Sequence, residues 1–406
     1  MQFIQFGCWN NLNIKEKDCK IKEKGCLKES MTMLHDYIHA NTIKRIIVSG
    51  DNYYPDKQTT EESKKIKIIN TELLTEGFKL LPKEIPITMI LGNHDLETNQ
   101  KNQNGNILEK PYKVKENHIE TPEKGDCKIL KTQLESIHTN TNVEYCFYKD
   151  ELIADHTLVI TLDTSIYDIA DREDYLTCYK MFLNRTHNDL VINTIDDIVK
   201  HQASLIEVTM RKKIDVKVEN IIIVGHHPII QSKLKKDKPS LLSDINLFKN
   251  VLLSMYRTGV KYYYLCSDLH LYQTGIVTIA IDNDIPMIIE QYISGIGGTE
   301  LDKGTGIIEY LEPLNGITYE MTGEKESCGF LVCDYSKPEL SFTPHFTTDY
   351  VPDSYKSVVQ FNVKQFTVKH KTNKKHKTKG KSKKRGSSKR QRMLTKRKKS
   401  QQKKSK

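Results

Sequence analysis

Short apolar stretches rich in β-branched residues recur along this chain, and polar residues or glycine follow each of them directly. Continuous apolar stretches of this length are typical of strands buried on both faces, with helices or another sheet covering them. The pattern predicts strands at residues 3–6, 45–49, 85–91, 158–162, 220–224 and 262–266. Helical candidates lie between them, at residues 27–40, 61–81, 195–212 and 242–258. Because strands and helices alternate, the sequence predicts an α/β fold.

Two segments interrupt this alternation. Residues 97–140 are rich in Asn, Lys, Glu and Gly, and they are predicted to form a long surface insertion. From about residue 369 onward Lys, Ser, Thr and Gln dominate, and such a segment buries too little apolar surface to offset the entropy of ordering it. We therefore predict one domain over residues 1–368 and a disordered basic tail over residues 369–406.

The net charge of +10 is concentrated in this tail. Residues 370–406 hold 19 of the 62 Lys and Arg and no Asp or Glu, which leaves the rest of the chain acidic, with 43 basic and 52 acidic side chains. The tail is interpreted either as a solubilising appendage or as a segment for contact with nucleic-acid phosphates or for nuclear targeting. An anionic membrane surface would attract it as well. It has no aromatic side chains for base stacking, so sequence-specific recognition is not indicated.

The nine cysteines show no repeated spacing and no Cys-x-x-Cys pair, so the sequence indicates neither a zinc knuckle nor a disulfide framework. The first residues lack the basic leader and the long apolar segment of a signal peptide. No stretch of about 18 apolar residues indicates a membrane span. We therefore expect an intracellular protein, cytoplasmic or nuclear, in a reducing compartment.

Five of the predicted strands are followed immediately by residues whose side chains can bind a metal ion. They belong to the segments Gly7-Cys8-Trp9-Asn10, Gly50-Asp51-Asn52-Tyr53-Tyr54, Gly92-Asn93-His94-Asp95, Gly225-His226-His227-Pro228 and Ser267-Asp268-Leu269-His270. Open α/β sheets bind ligands in the crevice outside the carboxyl ends of their strands. Cys, Asp, Tyr, Asn and His side chains that converge there would form a metal-binding donor set, and the glycines allow the backbone to turn sharply beside it.

Three of these segments, GDNYY, GNHD and GHHP in this order, resemble the signature blocks of calcineurin-like metallophosphoesterases. The tyrosine-bearing GDNYY block is most similar to the purple acid phosphatase branch. Weaker matches are Leu162-Asp163-Thr164 and Ser294-Gly295-Ile296-Gly297-Gly298, and the similarity spans about residues 1–345. The resemblance implies a four-layer αββα sandwich, in which helices flank two mixed β-sheets, and it implies hydrolysis of phosphate esters.

The resemblance also implies a role for individual residues. Asp51 would be the carboxylate that bridges two metal ions, which two-metal hydrolysis requires about 3.5–4 Å apart. Tyr54 and His270 would bind the first ion. Asn93 and His226 would bind the second ion.

His94 resembles the family's catalytic histidine, which protonates the leaving oxygen or stabilises charge on the phosphoryl group. The nucleophile implied by the resemblance is a metal-bound hydroxide. His227 stands where the family tolerates other residues, and it is interpreted as structural or substrate-facing. The substrate class stays open between a phosphoprotein, a nucleotide, another monoester and a diester.

Two positions depart from the family's pattern. The family has an aspartate where this chain has Cys8, and a Gly-His-x-His block where this chain has Ser267-Asp268-Leu269-His270. Both replacements still offer a metal ligand, since a thiolate binds zinc or iron and the carboxylate of Asp268 suits manganese or magnesium. A thiolate tends to reduce ferric iron, so we expect two divalent ions, zinc, Fe²⁺ or Mn²⁺, rather than Fe(III).

The leading hypothesis is a metallophosphoesterase that acts on a phosphate-ester substrate. The alternative is a pseudo-phosphatase, a binding module that has lost its metal pair and that contacts nucleic acid through the basic tail. Cys8 and Asp268 are the features that favour this alternative. A third hypothesis is a diesterase that acts on nucleic acid with the help of residues 369–406.

Overall fold

The fold is known from a computed structural model. It describes residues 1–15, 20–23, 25–59, 65–68, 71–96, 100–101, 107–108, 127–137, 142–168, 172–186, 190–213, 217–234, 239–281, 286–306, 309–337 and 339–350. The strands in chain order are β1 (Gln2–Phe6), β2 (Leu12–Lys15), β3 (Lys20–Glu23), β4 (Ile43–Ser49), β5 (Asp56–Thr59), β6 (Lys65–Ile68), β7 (Ile87–Ile90), β8 (Gln100–Lys101), β9 (Ile107–Leu108), β10 (Val143–Tyr145), β11 (Tyr148–Ile153), β12 (Thr157–Leu162), β13 (Asn220–Val224), β14 (Ile230–Gln231), β15 (Ser240–Leu241), β16 (Lys261–Cys266), β17 (Tyr272–Ala280), β18 (Pro286–Ser294), β19 (Glu309–Leu314), β20 (Ile317–Lys325), β21 (Gly329–Asp334) and β22 (Ser341–Phe346). The α-helices are α1 (Leu27–Ala40), α2 (Thr71–Phe78), α3 (Asn93–Leu96), α4 (Lys128–Ser136), α5 (Arg172–Thr186), α6 (Ile195–Lys212) and α7 (Ile245–Ser254).

Two large mixed sheets form the centre of the fold. The first has the strand order β10-β7-β4-β1-β21-β22, in which β10, β7, β4 and β1 are parallel and β21 is antiparallel to β1. The second has the order β11-β12-β13-β16-β18-β17-β20-β19, in which β12, β13, β16 and β18 are parallel. Smaller sheets pair β2 with β3, pair β14 with β15, and join β5, β6, β9 and β8.

The two large sheets pack face to face. Phe3 and Ile47 of the first sheet share one buried apolar cluster with Ile222, Val224 and Leu265 of the second. Each fully buried side chain of this size contributes roughly 1.5–3 kcal/mol. Alternate residues on the same strands point to the opposite faces, where they join a cluster that contains apolar residues of the helices. The predicted αββα sandwich of two mixed sheets flanked by helices is therefore confirmed.

The flanking helices bury one apolar stripe each. In α1 this stripe contains Leu27, Met31 and Leu34, which are spaced as neighbours on one helix face. The N-terminus of α6 is closed by a capping box, since the amide of Asp197 donates to the Thr194 side chain and the Asp197 carboxylate accepts from the Thr194 amide. Such a cap contributes about 1 kcal/mol.

Most of the predicted elements occur at the predicted places, and one helix does not. Helices α1 and α6 cover residues 27–40 and 195–212, as predicted. The helix predicted at residues 61–81 is wrong in its first half, because Lys65–Ile68 forms strand β6 and the helix begins at Thr71. The sequence Lys-Ile-Lys-Ile alternates with the period of a strand, and this local pattern prevails over the helical one.

The surface insertion predicted at residues 97–140 is also wrong at its C-terminal end. Helix α4 buries Ile129, Leu130, Gln133 and Leu134, so this end belongs to the core. Most of the remaining insertion lies outside the described residues, as does the predicted basic tail at residues 369–406. The proposed division into a domain and a tail stays a prediction.

Two disulfides correct the expectation that the cysteines form no framework. Cys26 is bonded to Cys328 and Cys127 to Cys178, across sequence separations of 302 and 51 residues. Such pairs carry no sequence signal, because tertiary folding rather than a short spacing brings the two thiols together. Within the described part of the chain, no helix combines the length and the apolar character needed to cross a membrane.

Candidate metal centre

The carboxyl ends of the parallel strands from both sheets meet at one place. The Cys8 amide after β1 donates to the Gly50 carbonyl after β4 (3.0 Å), and the Ser267 amide after β16 donates to the His226 carbonyl after β13 (2.8 Å). The two sheets are joined there, since Nδ1 of His226 lies 2.7 Å from the carbonyl oxygen of Ser49. The segments that the sequence singled out therefore surround one site.

Asp51 lies at the centre of this site and is buried, with 1% of its surface exposed. Its two carboxylate oxygens face different neighbours. Oδ2 accepts a hydrogen bond from the Tyr54 hydroxyl (2.7 Å) and lies 3.9 Å from Sγ of Cys8. Oδ1 lies 3.3 Å from Nε2 of His226 and accepts from the His94 amide (3.1 Å).

The first donor group is formed by Cys8, Tyr54 and His270 around Oδ2 of Asp51. The Tyr54 hydroxyl lies 3.0 Å from Nε2 of His270, and the two rings meet edge to face. Ligand atoms of Cys8, Asp51 and His270 all lie within 4.8 Å of one another, close enough for one metal ion to contact all three. Nδ1 of His270 contacts the Glu300 carbonyl oxygen at 3.0 Å, which leaves Nε2 directed at the donor group.

The second donor group surrounds Nε2 of His226. This nitrogen lies 3.1 Å from Oδ1 of Asn93 and 3.8 Å from Oδ1 of Asp268. Its other ring nitrogen is held by the Ser49 carbonyl, so the ring presents Nε2 to the site. Ligand atoms of His226, His227 and Asp268 also lie within 4.8 Å of one another.

His94 lies at the mouth of the site and is more exposed than Asp51 and His226. Its ring packs on Tyr54, with centroids 4.8 Å apart, and Nε2 lies 4.0 Å from Oδ2 of Asp51. One quarter of the His94 side chain is exposed, whereas Asp51 is buried. A molecule that enters from solvent would therefore meet the His94 ring before it reaches Asp51.

Three of the predicted ligands have a backbone conformation that non-glycine residues seldom adopt. Cys8, Asp51 and Asp268 have φ angles of 55°, 53° and 57°, and each follows the first residue after a buried strand. A left-handed non-glycine residue costs on the order of 1 kcal/mol or more, and such residues cluster at functional sites. The surrounding hydrogen bonds hold these three side chains toward a common centre at this cost.

The electrostatics of the site favour a bound cation. Burial raises the pKa of the Cys8 thiol well above its ordinary value, and the charge of Asp51 raises it further. The pKa of the Tyr54 phenol is raised in the same way, by burial first and then by Asp51. Burial also opposes ionisation of Asp51, but His226 and His94 hold its pKa below the ordinary value. The carboxylates of Asp51, which is buried, and of Asp268, which is one quarter exposed, lie beside sulfur, oxygen and nitrogen donors and form an environment that fits divalent metal ions.

The structure thus brings together all eight side chains singled out from the sequence, namely Cys8, Asp51, Tyr54, Asn93, His94, His226, Asp268 and His270. Sequence reasoning did not assign a part to Asp95, which accepts from the amides of Asn52 and Gly92, both at 2.9 Å. Gln133 of α4 donates to the same carboxylate at 2.7 Å. The sequence could have pointed to Asp95, since it belongs to the GNHD block. Gln133 lies in the predicted insertion, where no motif indicates a part in the site.

A family model described as calcineurin-like phosphoesterase matches residues 1–272 of the chain. No curated protein matches the sequence. Among solved structures, the chain is similar to GAP50, described as the anchor in the inner membrane complex of Plasmodium, with 12% identity, a TM-score of 0.42 and coverage of 86% of this chain and 84% of that one.

The chain is also similar to two further solved structures. Purple acid phosphatase PPD1 from yellow lupin (Lupinus luteus) is 11% identical, with a TM-score of 0.47 and coverage of 86% of this chain and 52% of that one. The chain therefore spans about half the length of the lupin protein. PhoD is 11% identical, with a TM-score of 0.47 and coverage of 85% of this chain and 68% of that one.

Proposed function

Because the chain belongs to the calcineurin-like phosphoesterase family, we propose that it hydrolyses phosphate esters with two divalent metal ions held at the site around Asp51. The observation that carries this proposal is the orientation of the Asp51 carboxylate. Its Oδ2 faces Cys8 and Tyr54, and its Oδ1 faces His226. A carboxylate whose two oxygens face two separate donor groups is placed to bridge two cations.

The two donor groups give each cation its own ligands. Cys8, Tyr54 and His270 would hold the first together with Oδ2 of Asp51. Asn93, His226 and Asp268 would hold the second together with Oδ1. The first group contains a sulfur donor and the second consists of oxygen and nitrogen donors, so we expect a softer ion such as zinc or Fe²⁺ in the first group. Manganese suits the second group as well as zinc does.

Bound cations would lower the pKa of water and would polarise a phosphoryl group. The remaining chemistry belongs to the protein. His94 lies at the open side of the site, where its imidazolium would donate a proton to the leaving oxygen of an ester that has entered from solvent. The Tyr54 ring packs on the His94 ring, and Nε2 of His94 lies 4.0 Å from Oδ2 of Asp51.

Metal analysis of the purified protein, combined with hydrolysis of an aryl phosphate, tests this proposal. The wild type is expected to hold about two metal ions per chain and to turn over the ester. Asp51→Asn should keep the fold but lose metal and activity, because a neutral amide cannot bridge two cations. Asp155→Asn is the matched control, since Asp155 is exposed and has a similar φ angle of 58°. A metal-loaded protein without turnover, or turnover that survives Asp51→Asn, would contradict the proposal.

The same experiment distinguishes the proposed phosphoesterase from the alternative, a pseudo-phosphatase. A metal-free, inert protein that binds RNA or DNA only when residues 369–406 are present would favour that alternative. The features that support it are Cys8 and Asp268, which stand where the family has other ligands. Equal turnover on nucleic-acid diesters with and without residues 369–406 would speak against the diesterase hypothesis.

A further inference from the structure

The Cys127–Cys178 disulfide lies directly beneath the turn that presents Asn93. Cys127 immediately precedes helix α4, and Cys178 lies in helix α5, so the bond fastens these two helices to each other. Sγ of Cys178 lies 3.5 Å from the carbonyl oxygen of Leu96, the last residue of α3. Asn93 is the first residue of that same short helix. The disulfide therefore contacts the element that carries a ligand of the second donor group.

Helix α4 is also linked to the site through a buried hydrogen-bond network. The side-chain amide of Gln133 donates to Oδ1 of Asp95 at 2.7 Å, and its side-chain oxygen Oε1 accepts from the Tyr145 hydroxyl at 2.8 Å. Asp95 accepts from the Gly92 amide and from the Asn52 amide. The Asp95 carboxylate thus ties together the turns that present Asn93 and Asp51, and α4 supplies one of its donors.

The Cys26–Cys328 disulfide lies on the other side of the site. The Cys26 amide donates to the Gly298 carbonyl (3.1 Å), and Sγ of Cys328 lies 3.9 Å from the Thr299 carbonyl oxygen. The Thr299 amide in turn donates to the Cys8 carbonyl (3.2 Å). The turn that contains Gly298 and Thr299 therefore lies between the disulfide and Cys8. The disulfide holds the side of this turn that faces away from Cys8.

We propose that the two disulfides position the two halves of the candidate metal centre, the Asn93 half and the Cys8 half, so that full metal affinity develops only in the oxidised chain. This inference rests on the proposed function, because it concerns the same metal site. Each bond forms when two cysteine thiols transfer two electrons and two protons to an acceptor disulfide, which is released as two thiols. The chain would accordingly mature in an oxidising compartment, where such acceptors are available.

Cys8 is compatible with oxidative maturation. Its side chain is fully buried, and its sulfur faces Asp51 rather than another cysteine of the described chain. Cys8 takes part in neither disulfide, so the pairing of the four other cysteines leaves its thiol available as a ligand. The four cysteines that pair lie outside the donor groups.

The test compares two double variants of the full chain prepared under oxidising conditions. Cys127→Ser with Cys178→Ser should weaken binding of the second ion about tenfold or more, the loss typical when a partner that orients a ligand is removed. Cys26→Ser with Cys328→Ser should weaken binding of the first ion to a similar degree. It should also reduce the charge-transfer band from the Cys8 thiolate to the metal in a Co²⁺-substituted protein. Cys146→Ala with Cys333→Ala, which removes two buried free thiols, is the matched control.

A loss of affinity that is confined to one ion in each double variant distinguishes positioning from general destabilisation, because general destabilisation would weaken the binding of both ions equally. Equal losses, or affinities within twofold of the wild type, would overturn the inference. If the first double variant does not fold, the wild-type protein is titrated with metal before and after reduction of its disulfides by a phosphine, which leaves the sequence unchanged. Unchanged affinity for both ions after reduction would likewise overturn the positioning role. Absence of metal from the oxidised wild type would instead overturn the proposed function.

Discussion

The hydroxyl of Tyr54 donates a 2.7 Å hydrogen bond to Oδ2 of Asp51, three residues earlier in the chain. The bond is local in sequence, yet it lies inside a site assembled from both large sheets. The same hydroxyl lies 3.0 Å from Nε2 of His270, so the phenol joins a residue after β4 to a residue after β16. A metal ion at this point would take the place of the phenol proton.

Tyr54→Phe is therefore expected to lower the affinity for the first metal ion about tenfold or more. The fold should stay intact, because only one oxygen is removed. Competitive titration against a chromogenic chelator measures this affinity. Tyr262→Phe is the control, since its hydroxyl donates to the Met255 carbonyl at the opposite end of β16. Unchanged affinity in Tyr54→Phe would show that the phenol is packed beside the site and is not a ligand.

Cys8→Asp is expected to change which metal the site prefers. A carboxylate is a harder ligand than a thiolate, so the ratio of zinc to manganese affinity should fall about tenfold or more. Aspartate also tolerates the φ angle of 55° at this position. Affinities for both ions, measured by titration calorimetry, give the ratio. Cys8→Ser, which offers neither a thiolate nor a carboxylate, should bind both metals more weakly, and an unchanged ratio in Cys8→Asp would exclude Cys8 as a ligand.

Gly92→Ala is expected to disrupt the site by steric overlap. A Cβ at this position would lie 2.2 Å from Oδ1 and 2.4 Å from the amide nitrogen of Asp51. The displacement should cost about 1–3 kcal/mol of unfolding free energy and most of the bound metal. Gly259→Ala is the control, because its Cβ would meet nothing within 4 Å although its φ angle of 80° imposes a backbone cost of about 1 kcal/mol. Metal content and denaturant unfolding separate the two variants, and full metal content in Gly92→Ala would contradict this packing.

Asp163 is expected to make stability depend on pH. Burial raises the pKa of Asp163 to about 7, and the neighbouring Tyr179 hydroxyl and Ser165 amide offset burial only in part. The folded chain therefore holds this proton more tightly than the unfolded chain. The associated stability is fully present below about pH 4 and is lost as the pH rises through about 7, with a total on the order of 4 kcal/mol.

Asp163→Asn imitates the protonated carboxyl, so its unfolding free energy should fall less between pH 5 and pH 8 than that of the wild type. Urea unfolding at both pH values measures the difference. Asp155→Asn, at an exposed position, should retain the wild-type dependence. The same pH dependence in Asp163→Asn and the wild type would show that Asp163 is ionised in the folded protein at both pH values.

The local pattern of apolar residues was sufficient for helices α1 and α6 and for six of the parallel strands, namely β1, β4, β7, β12, β13 and β16, because periodicity and burial along a short segment determine these elements. It was insufficient for residues 61–81, where alternating Lys and Ile residues form β6. Strands β17, β18 and β20 were not predicted, since they alternate between buried and more exposed positions without a long continuous apolar stretch.

The sequence by itself determined which side chains follow the buried strands, and parallel strands must bring such ends to one edge of their sheet. Only the tertiary structure decided how the two sheets place these ends against each other, with Asp51 between Tyr54 and His226. It alone also paired Cys127 with Cys178 and placed Gln133 under Asp95. These contacts join residues far apart in the chain, and their existence depends on the packing of whole elements rather than on any local pattern.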